Sequence, residues 1–312
     1  QPTVVSTSMS STTGAPVPVG VDPGPVEAWF REHVPEARPP LRYERVAGGH
    51  SCLTYVVTDG DGKRCVLRRP PLGTVLATAH DVAREHRVMS ALWDTAGPVP
   101  RMRGLCEDDR VNGAPFYVMS YVDGVVLHTA GDTARLLPSY AARRRAAETL
   151  VDALVALHAV DIDAVGLGGF ARRSGYLDRQ LRRWSAQWEA SKTRELPAME
   201  RLHAWLVEHR PAEPEACIVH GDIRLGNALH APDGTTLAVL DWELSTLGDP
   251  MADVSYLLRS WATPDEAAGG EGPPAAAGGF PRRHERAARY AAASGRALDG
   301  LGVPYEVVEI DP

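Results

Sequence analysis

Residues 219–241 read VHGDIRLGNALHAPDGTTLAVLD, and few folds can accommodate them. Two short apolar runs, ALH and TLAVL, flank APDG, where Pro presets φ and Gly supplies turn freedom, so the pattern predicts a β-hairpin. A hairpin sets the start of its first strand beside the end of its second. Asn227 and Asp241 must therefore meet at the open end. The stretch just before, HGDIRLGN, is poor helix and poor strand, and reads as a loop presenting His220, Asp222, Arg224 and Asn227.

An amide carbonyl and a carboxylate converging on one point suit a hard, oxygen-seeking cation such as Mg²⁺. Asp222 lies in the same loop and can face whatever that cation holds. Phosphoryl transfer needs these parts, metal ligands and a carboxylate that takes the hydroxyl proton, together with a cation for the donor phosphates. Arg68, closing the strand pattern CVLR, is the candidate cation. Glu85 falls on the apolar stripe of the next helix, where a charge demands a partner, and Arg68 is that expected partner. His220 and His230 have no third ligand at zinc-like spacing and are read as local hydrogen-bonding residues. Asp249 before Pro250 reads as a helix N-cap, and Asp253 points back toward the loop as a structural residue.

Along the chain, residues 1–24 are rich in Ser, Thr, Pro and Gly and read as a disordered tail. A helix through PVEAWFREHV follows. LRYERVAG, LTYVVTD and KRCVLRRPP then form an antiparallel meander, joined by GGHS and DGDG turns. A helix over about 78–93 carries Val82, Glu85, Met89, Leu92 and Trp93 on its inner face. The strands RGLCEDD and FYVMSYV close a small lobe, 25–122. The rest, 123–312, is mainly helical, with helices near 141–158, 175–189 and 198–209. In the second of these, Leu177, Leu181, Trp184 and Trp188 share a face read as core packing. Residues 265–281 are too rich in Gly and Pro to pack, and read as a flexible insertion.

A net charge of −7 argues against nucleic acid as the main partner. Four scattered cysteines without a CxxC pair favour reduced thiols, and no apolar run approaches the ~18 residues of a membrane span. With no signal-peptide pattern at the start, the expectation is a cytoplasmic protein without membrane partners, its oligomeric state open. Arg172, Arg173, Arg179, Arg182 and Arg183 lie off the Trp184/Trp188 stripe. Such a set is ordinarily a solvated face, yet beside an acceptor cleft it would repel polycations and welcome an anionic substrate.

HGDIRLGN followed by LDWE resembles the catalytic and metal-binding motifs of the aminoglycoside phosphotransferase/choline kinase-like family, a branch of the protein-kinase-like fold. GGHSCLTY, VLRRPP, FYVMSYVDG, LVALHAVD, GYLDRQLRRW and LDWELSTLGDPMADVSYLL resemble, in order, its subgroup related to the kinase domain of acyl-CoA dehydrogenase family proteins. The likeness runs over about 25–305. It implies an α+β, bilobed fold: a five-stranded antiparallel N-lobe and a mainly helical C-lobe. It implies ATP and Mg²⁺ as cofactors and a small-molecule hydroxyl as acceptor. By position, Asp222 would be the catalytic base, with His220 and Arg224 in its loop, and Asn227 and Asp241 the Mg²⁺ ligands. Arg68, Glu85 and the turn with Gly49, His50 and Ser51 would serve the phosphates, and Ser120 and Val122 of the hinge the adenine. An Arg stands where the wider fold has Lys, and the C-terminus is shorter than usual. The acceptor expected is a hydroxy acid, hydroxyacyl-CoA or natural-product alcohol; an aminoglycoside acceptor and a nucleotide-binding pseudokinase scaffold are the alternatives.

Overall fold

The computed structural model describes residues 18–46, 52–73, 81–213, 215–261 and 272–298. They divide into two compact units, one holding the described residues before 81 with 103–118, the other 81–102 and the residues from 119 onward.

In the first unit, helix α1 (Pro23–His33) starts on a proline, whose missing N–H costs nothing at a first helical position. Strands β1 (Arg42–Arg45), β2 (Leu53–Thr58) and β3 (Arg64–Arg69) run antiparallel, with Arg42 opposite Thr58 and Leu53 opposite Arg69. The DGDG turn between β2 and β3 is organised by Asp59, whose carboxylate accepts the backbone N–H groups of Arg38, Asp61 and Lys63. After helix α2 (Val82–Leu92), which belongs to the second unit, come β4 (Met102–Cys106), the short α3 (Asp109–Asn112) and β5 (Phe116–Ser120). The sheet order is β1-β2-β3-β5-β4, the five-stranded antiparallel sheet expected. Its core takes Val26, Trp29 and Phe30 from α1 against Tyr55, Val57, Leu67 and Phe116. Trp29 meets Phe116 edge-on at 4.9 Å, and Gly104 leaves room for the indole, since a Cβ there would fall 2.8 Å from it.

The expected disordered stretch to residue 24 is corrected for its described part. Val21 is buried, the Tyr55 hydroxyl donates to the Val19 carbonyl, and buried Arg69 donates to the carbonyls of Gly20 and Asn112. Side chains from β2 and β3 thus satisfy a backbone whose own composition offers little.

In the second unit, α2 is capped by Asp81, which accepts from Arg84 N, and it buries Val82, Glu85, Met89 and Leu92 while Trp93 stands exposed. Arg84 explains why α2 belongs here. Its guanidinium donates to the carbonyls of Phe170 and Ser245 and lies 3.7 Å from the centre of the Phe170 ring. Helices α4 (Ala130–Leu136), α5 (Tyr140–His158), α6 (Tyr176–Ser191) and α7 (Pro197–Glu208) follow, and α5 buries Leu150, Leu154 and Leu157 as its stripe predicts.

Strand β6 (Cys217–Val219), the hairpin of β7 (Ala228–His230) and β8 (Thr236–Val239), and β9 (Thr246–Gly248) come next, then α8 (Pro250–Arg259) and α9 (Arg283–Ser294). The antiparallel β6–β9 pair, Val219 opposite Thr246, is an element the sequence reading lacked. Asp249 caps α8 as expected, accepting from Met251 N, with Pro250 at its first position.

The flexible insertion 265–281 is corrected over its described part. Pro274–Ala277 forms a 3₁₀ turn with Ala275 buried. Buried Arg143 donates to the carbonyls of Ala277 and Gly278. One guanidinium thereby gathers the acceptors that a Gly/Pro-rich segment leaves unmatched. Residues 265–271 lie outside the described residues.

Candidate active site

The β7–β8 hairpin has Ala228 opposite Val239, and the ladder extends one step through Leu240 N donating to Asn227 O at 2.8 Å. Asn227 is thus paired next to Asp241, the juxtaposition the spacing predicts. Asp241 leaves β8 at φ 68° and ψ 64°, the one non-glycine residue with positive φ among the described residues. Such backbone strain is held only where the surroundings enforce it, and it gathers at functional sites.

The loop ahead of the hairpin is braced from several sides. Asn227 Nδ2 donates to both Asp222 O at 2.9 Å and Asp222 Oδ2 at 2.7 Å, which turns the amide oxygen away from Asp222. The buried His220 ring accepts Asp222 N at Nδ1 (3.1 Å) and donates from Nε2 to Leu240 O (3.0 Å). Those partners require the neutral Nε2–H tautomer, and burial pushes the His220 pKa down in agreement. Trp242, buried, packs its ring edge-on to His220 at 4.6 Å and donates Nε1–H to Val239 O. Gly221 sits at φ 88°, where a Cβ would come 2.9 Å from Leu244 O, so only glycine fits.

Beneath the loop lies Asp253 of α8, fully buried. Its oxygens accept His220 N at 2.7 Å and Gly221 N at 2.8 Å, and His158 Nε2 lies 3.3 Å away. Burial opposes the charge, but the His158 contact and the backbone N–H groups outweigh it and hold the Asp253 carboxyl below the usual range. The sequence reading of Asp253 as a structural residue facing the loop agrees with this geometry. His158, at the end of α5, was not singled out by sequence; its one signal is a histidine adjoining the buried stripe of α5.

Asp222 Oδ2 is engaged by Asn227. Its Oδ1 is buried and, apart from Arg224 Nε at 3.4 Å, accepts no hydrogen bond among the described residues. Arg224 itself is about two-fifths exposed. Tyr256 of α8 stands beside the same carboxylate, and burial with that neighbouring charge pushes its hydroxyl up to about 12, so it stays protonated. The amide oxygen of Asn227 and the carboxylate of Asp241 are hard oxygen donors of the kind Mg²⁺ takes, so the residues present fit that ion.

Other expected residues fall as follows. Arg68 is half-buried on β3 in the first unit, and Glu85 fully buried on α2 in the second. Ser120 N–H donates to Arg101 O at 2.8 Å, and Ser120 Oγ accepts Arg101 N at 2.9 Å, so that N–H belongs to the sheet edge and is not free for adenine; Val122 lies just beyond β5. Gly49, His50 and Ser51 lie outside the described residues. Of the five arginines, Arg173 forms an ion pair with Asp163, and Arg179 donates to the carbonyls of Ser174 and Arg172. Arg172, Arg182 and Arg183 are exposed. The stripe beside them is also corrected: Trp184 is 57% exposed, and Tyr176 is the one buried residue of α6.

The profile of the phosphotransferase enzyme family matches residues 42–296. Acyl-CoA dehydrogenase family member 10 of Mus musculus is 41% identical over 227 residues, 72% of this chain and 21% of the mouse protein. Acyl-CoA dehydrogenase family member 11 of Gallus gallus is 37% identical over 227 residues, 72% of this chain and 28% of its own length. The chain thus spans less than a third of these curated relatives. Among solved structures, a Ralstonia eutropha protein assigned to the aminoglycoside phosphotransferases superposes with a TM-score of 0.74 at 37% identity, covering 89% of this chain and 82% of that one. An ethanolamine kinase of Plasmodium vivax, at 12% identity and a TM-score of 0.57 over 88% of this chain and 72% of that one, shares the fold.

Proposed function

Because the chain belongs to the phosphotransferase enzyme family, we propose that it moves the γ-phosphate of ATP to a hydroxyl of a small molecule carrying an acyl or carboxyl group. The observation that carries this reading is the Asn227 bridge. One amide holds Asp222 Oδ2 at 2.7 Å while its backbone is paired beside Asp241, so base and metal ligands form one construction.

Asn227 orients the Asp222 carboxylate through Oδ2, and that carboxylate, 19% exposed, receives the acceptor's proton. The acceptor oxygen bonds to the γ-phosphorus as the bond from that phosphorus to the bridging oxygen of ADP breaks, and ADP leaves with the electron pair. Arg224, 3.4 Å from Asp222 and two-fifths exposed, would offset the charge of the transferring phosphoryl group. Asn227 and Asp241 would hold Mg²⁺, which when bound neutralises the donor phosphates. His220 and Asp253 do no chemistry; they keep the loop backbone in place, and positioning supplies much of the rate.

The acceptor class rests on two supports. Relatives at 41% and 37% identity are named as acyl-CoA dehydrogenase family members, which favours a hydroxyacyl acceptor. The exposed Arg172, Arg182 and Arg183, if they border the acceptor cleft, would repel a polycationic aminoglycoside.

The test is a mass-spectrometric screen of hydroxyacyl-CoAs, hydroxy acids, sugars and aminoglycosides with ATP and Mg²⁺, run beside Asp222→Ala. Phosphorylation of a hydroxyacyl compound, falling on the order of 10³-fold in the variant with nucleotide binding kept, is the expected result. Thermal stabilisation by ATP with equal, background turnover in both proteins would identify a scaffold instead.

A further inference from the structure

The hydrogen bonds under the catalytic loop do not end at Asp253. His158 Nδ1 lies 2.7 Å from the hydroxyl of Tyr290, on α9, and both side chains are buried. An Asp253 carboxylate can only accept, so His158 Nε2 carries the proton in that contact. In the neutral ring Nδ1 is then a lone pair that needs a donor. Tyr290 O–H supplies it. Both side chains are buried, His158 at 3% and Tyr290 at 1% exposure, so the contact is shielded from bulk water.

We propose that Tyr290 is a positioning residue for the catalytic loop: by donating to Nδ1 it satisfies, and so stabilises, the Nε2–H form of His158 that holds Asp253 under the backbone of His220 and Gly221. The inference rests on the phosphotransfer reading for its effect on rate, but not for its effect on the loop. Tyr290 reaches His158 from α9, which is held on α5 by the Arg289–Asp152 pair, at 2.7 Å, and by Arg144 with Glu285 at 3.4 Å.

A rival account is that Tyr290 only fills space. Tyr290→Phe separates the two, because it keeps the ring and removes one oxygen. Long-range ¹H–¹⁵N NMR of the full chain reads the His158 tautomer, and amide exchange reads the loop. The proposal requires the Nε2–H form in wild type, with Nδ1 unprotonated; a doubly protonated ring, whose Nδ1–H would donate to the Tyr290 oxygen, overturns it. In Tyr290→Phe the Nε2–H form should be mixed or lost, and His220 and Gly221 amides should exchange about fivefold faster, the worth of one neutral hydrogen bond. Phosphoryl transfer should fall by about the same factor in kcat, with the KM for ATP changed less than about twofold. Arg289→Ala is the control for a loosened α9. It should lower the thermal midpoint with the tautomer intact.

An unchanged tautomer and unchanged exchange at His220 and Gly221 in Tyr290→Phe overturn the proposal, however much stability is lost. So does an Arg289→Ala variant that reproduces every change, since Tyr290 would then merely report helix packing. If tautomer and exchange shift while wild type phosphorylates nothing, the loop-positioning role stands and the phosphotransfer reading is the one that falls.

Discussion

The loop and hairpin from His220 to Asp241, and the α6–α7 pair, are parts of the same unit built in opposite ways. The first is tied on every side: ring to backbone, amide to carboxylate, buried carboxylate to two consecutive N–H groups. The second contains one buried residue, Tyr176, in twenty-eight, and its tryptophan at 184 faces water. A reacting group must be held within fractions of an ångström, and that takes redundant bonds. A surface that meets solvent, or molecules of varied shape, gains nothing from such rigidity. The contrast teaches where the chain can change without losing its chemistry.

Two tryptophans turn this contrast into numbers. Trp242 is 2% exposed, meets His220 edge-on and donates to Val239 O. Replacing it by Ala is expected to lower the free energy of unfolding by about 4 kcal/mol, the usual cost of emptying a buried indole site. Denaturant titration checks it. A loss under about 1 kcal/mol would mean that the braced region is not braced by its core.

How much of this was legible in the sequence follows the same line. The hairpin, the meeting of Asn227 with Asp241, the Asp249 cap and the direction of Asp253 were readable, because turn chemistry and the two-residue strand period act over a few neighbours. The meander and the five-stranded sheet followed from the same rules. What escaped depends on partners far along the chain. The β6–β9 pair joins three-residue strands too short to announce themselves. His158 and Tyr290 are 132 residues apart. Arg84 reaches Phe170 and Ser245, and Arg143 anchors 277–278, through guanidinium contacts that no periodicity encodes. The apolar stripe of α6 was misread for a related reason. Period 3.6 shows which residues share a face, not whether anything covers it.

Buried titratable groups sharpen the comparison with pH. Burial lowers the His230 pKa to about 4, against an ordinary value of 6.5, and lowers that of His220 too. A histidine with a depressed folded-state pKa is neutral in the native protein while the unfolded chain binds a proton. Its contribution is therefore full above about 6.5 and is lost as pH falls toward 4. For His230 the total is about 3 kcal/mol at most. The expected outcome is an unfolding free energy that drops between pH 7 and 4. In His230→Leu the slope should be smaller by about one proton over that window. An unaltered slope would show that His230 is not the group being titrated.

The smallest expected effect lies on α6. Trp184 leads a shallow apolar groove of about 220 Å³ with Leu181, Trp188, Met199, Leu202 and Leu206, and acidic Glu189 and Glu200 lie on its wall. At 57% exposure the indole has little contact area to lose. Trp184→Ala should therefore change the unfolding free energy by no more than about 0.5 kcal/mol, the range of surface substitutions free of special contacts. The number matters because it is compared with Trp242 in the same denaturant series, where the residue type is constant and burial is what differs. A cost near that of Trp242→Ala would mean that the indole is covered in solution, by a second copy or by the rest of a longer chain, and the two regions would then differ in their partners and not in their rigidity. The two cases separate by dilution. Coverage by a second copy makes the cost shrink as the protein is diluted, because association stabilises by mass action, whereas an indole buried within one chain gives the same cost at every concentration.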